Sequence, residues 1–375
     1  MSKKSVSYTI VAAVVAIIIC LAVFNRDASQ GKKLRIAGNL PLTGPVAAFS
    51  GNYPKGFIMG IDDACEKYGV DRKSIVVDFQ DNQAKPADAT TVFNQQATKG
   101  FDVYIVGTSE PASAVTPQLS SRHNSPTFLV AFDAYATKND TNFFRILPNY
   151  KVESPLWIEF ARKSNAKKIF TITLNISSIE EQYAENICPV LIEDGIEIVR
   201  EKFDFSTTDF RSIALKVREA NPDLIFITGF SFQLQLAINA LRELDLVKDR
   251  NVMTTIDLVD FFPASSFDKS FEGIVFPCPF YEIPNKTKDA DAFKAAFNKK
   301  HGVSPTYIEA YAYDTAYLLI HTLKEYGKIS SETLSKSTFD GVTGTVQFDQ
   351  ERDVATSIQL VTVRDGKIIA IFEGN

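Results

Sequence analysis

From residue 34 onward, short apolar runs alternate with stretches in which apolar residues recur every three or four positions. The first pattern is that of buried strands, the second that of amphipathic helices. LRIAGNL (34–40), SIVVDFQD (74–81), DVYIVGT (102–108) and TFLVAF (127–132) predict strands. A helix within 50–69 puts Phe57, Ile61, Ala64, Cys65 and Tyr68 on one face, and Pro54 suits its first turn. A second helix opens at Pro86 and ends at Gly100. SAVTPQLSSRHN predicts a third, and NFFRILPN (142–149) leads out of this block. The rhythm then restarts. Strands are predicted at KKIFTITLN, EIVREKFDF, DLIFITGF, NVMTTIDL and GIVFPCPF, with helices between them. Pro189 is expected to bend the helix IEEQYAENICPVLIEDG.

Each block predicts a parallel sheet with helices on both faces, an α/β fold of two Rossmann-like lobes. The tail has two helices, KDADAFKAAFNKKHG and TYIEAYAYDTAYLLIHTLKEYG. Three strands follow, GTVQFD, TSIQLVTVRDG and KIIAIFEG, with Asp365-Gly366 as a hairpin turn. These are too few elements for a third domain, so they complete the first two, and the chain crosses between lobes more than once. Ligands of such sheets sit beyond the carboxyl ends of the strands. The candidate site is therefore the set of loops at 41–49, 81–86, 107–113, 131–137, 174–183, 229–233 and 256–261. The first loop, with Gly38, Thr43 and Gly44, is a strand–turn–helix that can cradle an anion. It has no G-x-G-x-x-G and no G-K-[ST], so neither a dinucleotide nor a triphosphate is indicated.

Composition narrows the function classes. The chain has 375 residues and a net charge of −5. An acidic chain with no basic tract argues against nucleic acid as partner. The N-terminus departs from the average. Lys3 and Lys4 precede an uncharged, mostly apolar segment at 8–24, the pattern of an export signal. No small-x-small cleavage site follows, and Ile19 precedes Cys20 where a bacterial lipoprotein has a small residue. The segment reads as an uncleaved anchor or an atypical lipoprotein signal, with NRDASQGKK (25–33) as a tether. The remainder is then extracytoplasmic, in the periplasm or on the outer face of the membrane.

Candidate chemistry is sparse. Cys65, Cys188 and Cys278 form neither a disulfide framework nor a metal pair and read as buried apolar residues. His123, His301 and His321 sit in no H-E-x-x-H and beside no nucleophile, and there is no G-x-S-x-G. FDQERD (348–353) lacks the glycine and spacing of a Ca²⁺ loop. The expectation is a non-enzyme without cofactor or metal.

Six stretches in order carry a family resemblance: IAGNLPLTGPVAAFSG, FFRILP (143–148), TDFRS (208–212), NPDLIF (221–226), AYAYDTAYLL (310–319) and FDGVTGTVQFDQERDV (339–354). From about Leu34 onward the chain resembles the type 1 periplasmic binding proteins, in particular the branched-chain amino acid receptors of ABC importers. The resemblance implies two lobes joined by three crossings, closing around one small ligand. It divides the chain into 1–33 (signal or anchor), 34–147 with 284–336 (first lobe), and 148–283 with 337–375 (second lobe).

The resemblance also assigns site residues. The first-lobe loops would hold a ligand α-carboxylate through backbone N–H groups and hydroxyls, with Thr43 in one wall and Phe49 against the ligand. Ser113 lies near the family's carboxylate-binding hydroxyl, and Ser109 is its rival. In the loop 131–137, Ala134 adjoins Asp133, the best match to a hydroxyl position. A carboxylate there would repel a ligand carboxylate. Either Asp133 points away or the ligand is not an ordinary α-amino acid. In the second lobe Tyr183 matches an aromatic, Phe230 or Phe232 would meet the ligand's apolar side chain, and Asp257 would take its ammonium. Tyr311, Tyr313 and Asp314 read as core and hinge, and Arg145 as paired within the fold. The implied partners are a small amino-acid-like ligand, ABC permease subunits and, through the N-terminal segment, the membrane, with the chain a monomer. The alternative is a sensing ectodomain of the same fold acting through a partner protein. The chain's end at Asn375, with no second membrane span, favours the transport receptor.

Overall fold

The computed structural model describes residues 33–44, 46–122, 124–133, 136–260, 267–354 and 358–371. The segment 8–24, Cys20, His123 and Ala134 lie outside the described residues. No helix among the described residues is long and apolar enough to cross a membrane.

Strands β1 (Leu34–Leu40), β2 (Ile75–Asp81), β3 (Val103–Gly107), β4 (Thr127–Val130) and β5 (Phe143–Phe144) form one parallel sheet in the order β2-β1-β3-β4-β5. A second sheet is built from β6 (Lys168–Leu174), β7 (Glu197–Phe203), β8 (Leu224–Ile227), β9 (Val252–Thr254) and β10 (Val275–Pro279). Thr338–Gly341 (β11) and Gly344–Gln347 (β12) make a separate hairpin, which leads to β13 (Ile358–Arg364) and β14 (Lys367–Ala370). The second sheet runs β14-β13-β10-β9-β8-β6-β7, and β13 and β14 join it antiparallel. The inner strands β3, β4, β8 and β9 are apolar nearly throughout because helices cover both faces, whereas the edge strands β2 and β7 carry charged residues. The Asp365-Gly366 turn between β13 and β14 has φ of 50° and 69°, the left-handed pair that a type I′ hairpin requires.

The tail helices do not stay with the second sheet. Tyr307–Tyr326 crosses Tyr53–Tyr68, which belongs to the first. A Cβ on Gly56 would lie 2.3 Å from the Glu309 carbonyl oxygen, and one on Gly60 2.3 Å from that of Tyr313. Only glycine permits this approach. Asp314, on the same long helix, accepts from Val342 N–H (3.0 Å), Thr343 N–H (2.9 Å) and Thr343 Oγ1 (2.5 Å), which pins the helix to the β11–β12 turn.

Local differences from the sequence pattern have local causes. The helix expected over 179–195 is broken into Ser177–Glu180, a π-turn at Glu181–Ile187 and Cys188–Glu193. Pro189 lacks an N–H, so it begins the last piece, and the extra residue in the wide turn absorbs the mismatch. Helix Ser331–Lys336 and β11 were hidden in a polar stretch without clear period. Cys65, Cys188 and Cys278 are all buried free thiols.

Where the chain leaves the first sheet, Arg145 is fully buried and paired with Asp353. Its Nε and Nη2 donate to the two carboxylate oxygens at 2.9 and 3.1 Å. Its Nη1 donates to the carbonyls of Ala131 (3.0 Å) and Asp133 (2.5 Å). Removing one partner of a buried pair strands the other charge. Asp353→Ala is expected to lower the unfolding free energy by about 3–5 kcal/mol, read from urea denaturation. A loss of less than about 1 kcal/mol would show that the pair does not hold the crossing.

Candidate functional site

The carboxyl ends of the two sheets face one another across a small cavity of about 30 Å³, room for a water molecule or two. From the first-sheet side come Phe49, Ser109, Glu110 and Phe132. From the other side come Tyr150, Ser178, Phe230 and Asp257.

Most of these side chains lie in the loop or helix start that follows a strand. Ser109 opens the helix Ser109–Arg122 after β3, and its Oγ accepts from Phe132 N–H at 3.3 Å. The oxygen is thereby used while the hydroxyl proton stays available to a ligand acceptor. Phe49 lies with its ring centroid 5.6 Å from that of Phe132, and Phe132 stacks on Tyr150 at 6.1 Å. Phe230 precedes the helix Ser231–Glu243, where its N–H donates to Gln233 Oε1 at 3.1 Å. Asp257 sits in the 3₁₀ turn Ile256–Val259 just after β9.

Of the residues singled out from sequence, Phe49, Ser109, Phe230 and Asp257 share this cavity. Thr43 is exposed and does not line it. Its N–H and hydroxyl donate to Asp81, which fastens the first loop instead. Ser113 lies one turn into the helix that Ser109 begins and is exposed. Tyr183 is buried in the π-turn, edge-on to Trp157 with centroids 5.5 Å apart, and does not line the cavity. The extra residue of the π-turn changes which side chains face the cleft. Asp133 is half-buried, and its carbonyl is held by Arg145. Its carboxylate is near enough that its charge adds to burial in pushing up Glu110 and Tyr150. Tyr150 and Glu110 were missed. Each directly follows a strand-end loop, at a helix start, and that position was the available signal.

Behind Asp257 lies an acidic group. Glu153 Oε1 accepts from Trp157 Nε1 (3.2 Å) and from Ile256 N–H (3.1 Å), which anchors the turn carrying Asp257. Tyr307 donates its hydroxyl to Asp260 Oδ1. Burial first, and then the neighbouring Asp257 charge, pushes Glu153 up to about 8 and Asp260 well above the carboxylate range. Burial also raises Asp257. Like charges this close cannot all ionise, so the group retains protons near neutral pH. Among the described residues, no group of three or more His, Cys, Asp or Glu side chains is arranged to hold a metal.

Two facing α/β sheets with a small cavity between their strand ends describe an architecture shared by many receptors. Comparison with known proteins specifies which. A profile of the family described as periplasmic binding proteins matches residues 33–367. The chain belongs to the periplasmic binding protein family. Over 337 residues it is 22% identical to the leucine-, isoleucine-, valine-, threonine- and alanine-binding protein of Pseudomonas aeruginosa, covering 86% of this chain and 87% of that one. A branched-chain amino acid transporter substrate-binding protein from Streptococcus pneumoniae, solved with isoleucine, superposes with a TM-score of 0.76 at 23% identity, covering 90% of this chain and 98% of that chain. A solute-binding protein of an ABC transporter from R. palustris, solved with benzoate, superposes with a TM-score of 0.79 at 18% identity, covering 90% of this chain and 95% of that chain. At these identities the superpositions establish the fold.

The acidic group makes stability depend on pH. Glu153 has an ordinary value of 4.5 and is pushed up to about 8 when folded. Its contribution is therefore full below about pH 4.5 and is lost as pH rises toward 8. The unfolding midpoint is expected to fall between pH 5 and 8, and Glu153→Gln to flatten that fall. A wild-type midpoint constant over this range would refute the assignment.

Proposed function

We propose that this periplasmic binding protein is the extracytoplasmic receptor of an ABC importer. It captures a small amino-acid-like solute between its lobes and presents it to membrane permease subunits. In this reading the lobes comprise 34–147 with 284–336 and 148–283 with 337–375, and the segment 8–24 tethers them to the membrane. The observation that carries the proposal is the Asp257 carboxylate, nine-tenths buried in a cavity walled by both sheets and by aromatic rings. A buried carboxylate of this kind is stabilised by a ligand ammonium, which supplies the missing counter-charge. Ser109 offers a hydroxyl proton from the opposite wall, and Phe230 an apolar surface. The cavity is smaller than any amino acid, so the lobes must part to admit one and close over it. That motion is what a permease can read.

The reading is tested by thermal unfolding of the purified protein with a panel of amino acids, amides, amines, short peptides and polyols. A ligand at about 100 times its dissociation constant adds ~2.7 kcal/mol. The midpoint should rise by about 2 °C or more. Asp257→Ala is expected to abolish that shift while leaving the ligand-free midpoint at or above the wild-type value. Unchanged affinity in this variant would mean that the ligand is held in another orientation.

A further inference from the structure

Charge sets this cleft apart from a receptor for carboxylates. Its wall carries an acid from each side, Glu110 and Asp257, and none of the described residues lining it is basic. Asp133, next to the lining residue Phe132, is near enough for its charge to raise Glu110 and Tyr150. Glu110 Oε1 is buried and has no hydrogen-bond partner among the described residues. An unmet buried carboxylate oxygen is costly, and a ligand donor would remove that cost.

The walls between the acids point the same way. Phe49, Phe132, Tyr150 and Phe230 present rings to the cavity. An aromatic face is negative and attracts a cation within about 6 Å of its centroid, and it disfavours an anion for the same reason. What attracts a carboxylate here is the Ser109 hydroxyl, the positive end of the Ser231–Glu243 helix and that of the Ser109–Arg122 helix. Glu110, in its first turn, already meets that dipole. A ligand carboxylate entering here would be desolvated beside two or three acids with no lysine or arginine to offset them.

We propose that the cleft takes a small organic amine in its ammonium form, with an apolar body and no free carboxylate. Glu110 and Asp257 hold the charge, and the Phe49, Phe132, Tyr150 and Phe230 rings hold the body. The assignment rests on the receptor reading above and names the solute class of that site. Asp133 then supports the ligand instead of opposing it.

Paired ligands that differ only in the carboxylate test this. Isothermal titration would compare isoamylamine with leucine and phenethylamine with phenylalanine, on the wild type and on Glu110→Gln. Each amine is expected to bind at least tenfold more tightly than its amino acid. Glu110→Gln should weaken the amines by tenfold or more and strengthen the amino acids, with its circular dichroism spectrum unchanged. Leucine or phenylalanine binding as tightly as its amine, or more so, would overturn the amine assignment and leave the receptor standing. Unaltered amine affinity in Glu110→Gln would also overturn it. If no solute on this or the wider panel binds, the receptor reading fails and the amine assignment fails with it.

Discussion

The pairing of Arg145 with Asp353 is the contact on which the two-lobed arrangement depends. The chain leaves the first sheet at 144, and at 353, on its way to β13 of the second sheet, it passes beside that point of departure. Arg145 N–H donates to the Arg352 carbonyl at 3.0 Å, and Val354 N–H donates to the Arg145 carbonyl at 3.0 Å, so the two crossings run side by side. The guanidinium between them is sealed from water and must be met by fixed acceptors. Two of those acceptors are the carbonyls of Ala131 and Asp133. The residue that fastens the crossings thereby also sets the loop that carries Phe132 into the cleft.

The cleft itself opposes stability. Glu153, Asp257 and Asp260 crowd behind one wall, and Glu110 and Asp133 lie about the other. Buried acids without basic partners raise the free energy of the folded state as pH rises. A fold under no other demand would replace them with apolar side chains, as burial alone favours. Their retention at the strand ends fits a site whose missing counter-charge arrives with the ligand. Tyr307, on a helix packed against Tyr53–Tyr68, donates to Asp260, which follows β9 at the second sheet's carboxyl end, so this helix touches the acidic group directly.

Two stretches that carry the family resemblance turn out to be one contact in space. AYAYDTAYLL supplies Asp314, and FDGVTG supplies the turn it caps. Gly341 lies so near that a Cβ there would sit 2.4 Å from Asp314 Oδ2. Burial pushes Asp314 up to about 6, offset in part by these hydrogen bonds. The aspartate, the glycine and the turn explain one another, and they tie the β11–β12 hairpin to the long helix Tyr307–Tyr326.

The alternation of strands and helices was legible in the sequence because strand and helix periods depend on near neighbours along the chain. So were the strand ends, marked by turn residues and prolines, and with them the loops that meet in the cleft. Phe49, Ser109, Phe230 and Asp257, singled out through the family resemblance, lie on these loops and line one cavity. The tertiary structure decided which residue of each loop faces inward. Ser109 and Ser113 differ by one helical turn, and only the depth of the cleft separates them. Tyr183 is displaced by a π-turn that Pro189 provokes within a packed lobe. Glu110 and Tyr150 become site residues only when two sheets, each folded from its own stretch of chain, dock end to end. That docking rests on contacts such as Arg145 with Asp353, 208 residues apart. Periodicity along the chain carries no information about a partner at that distance.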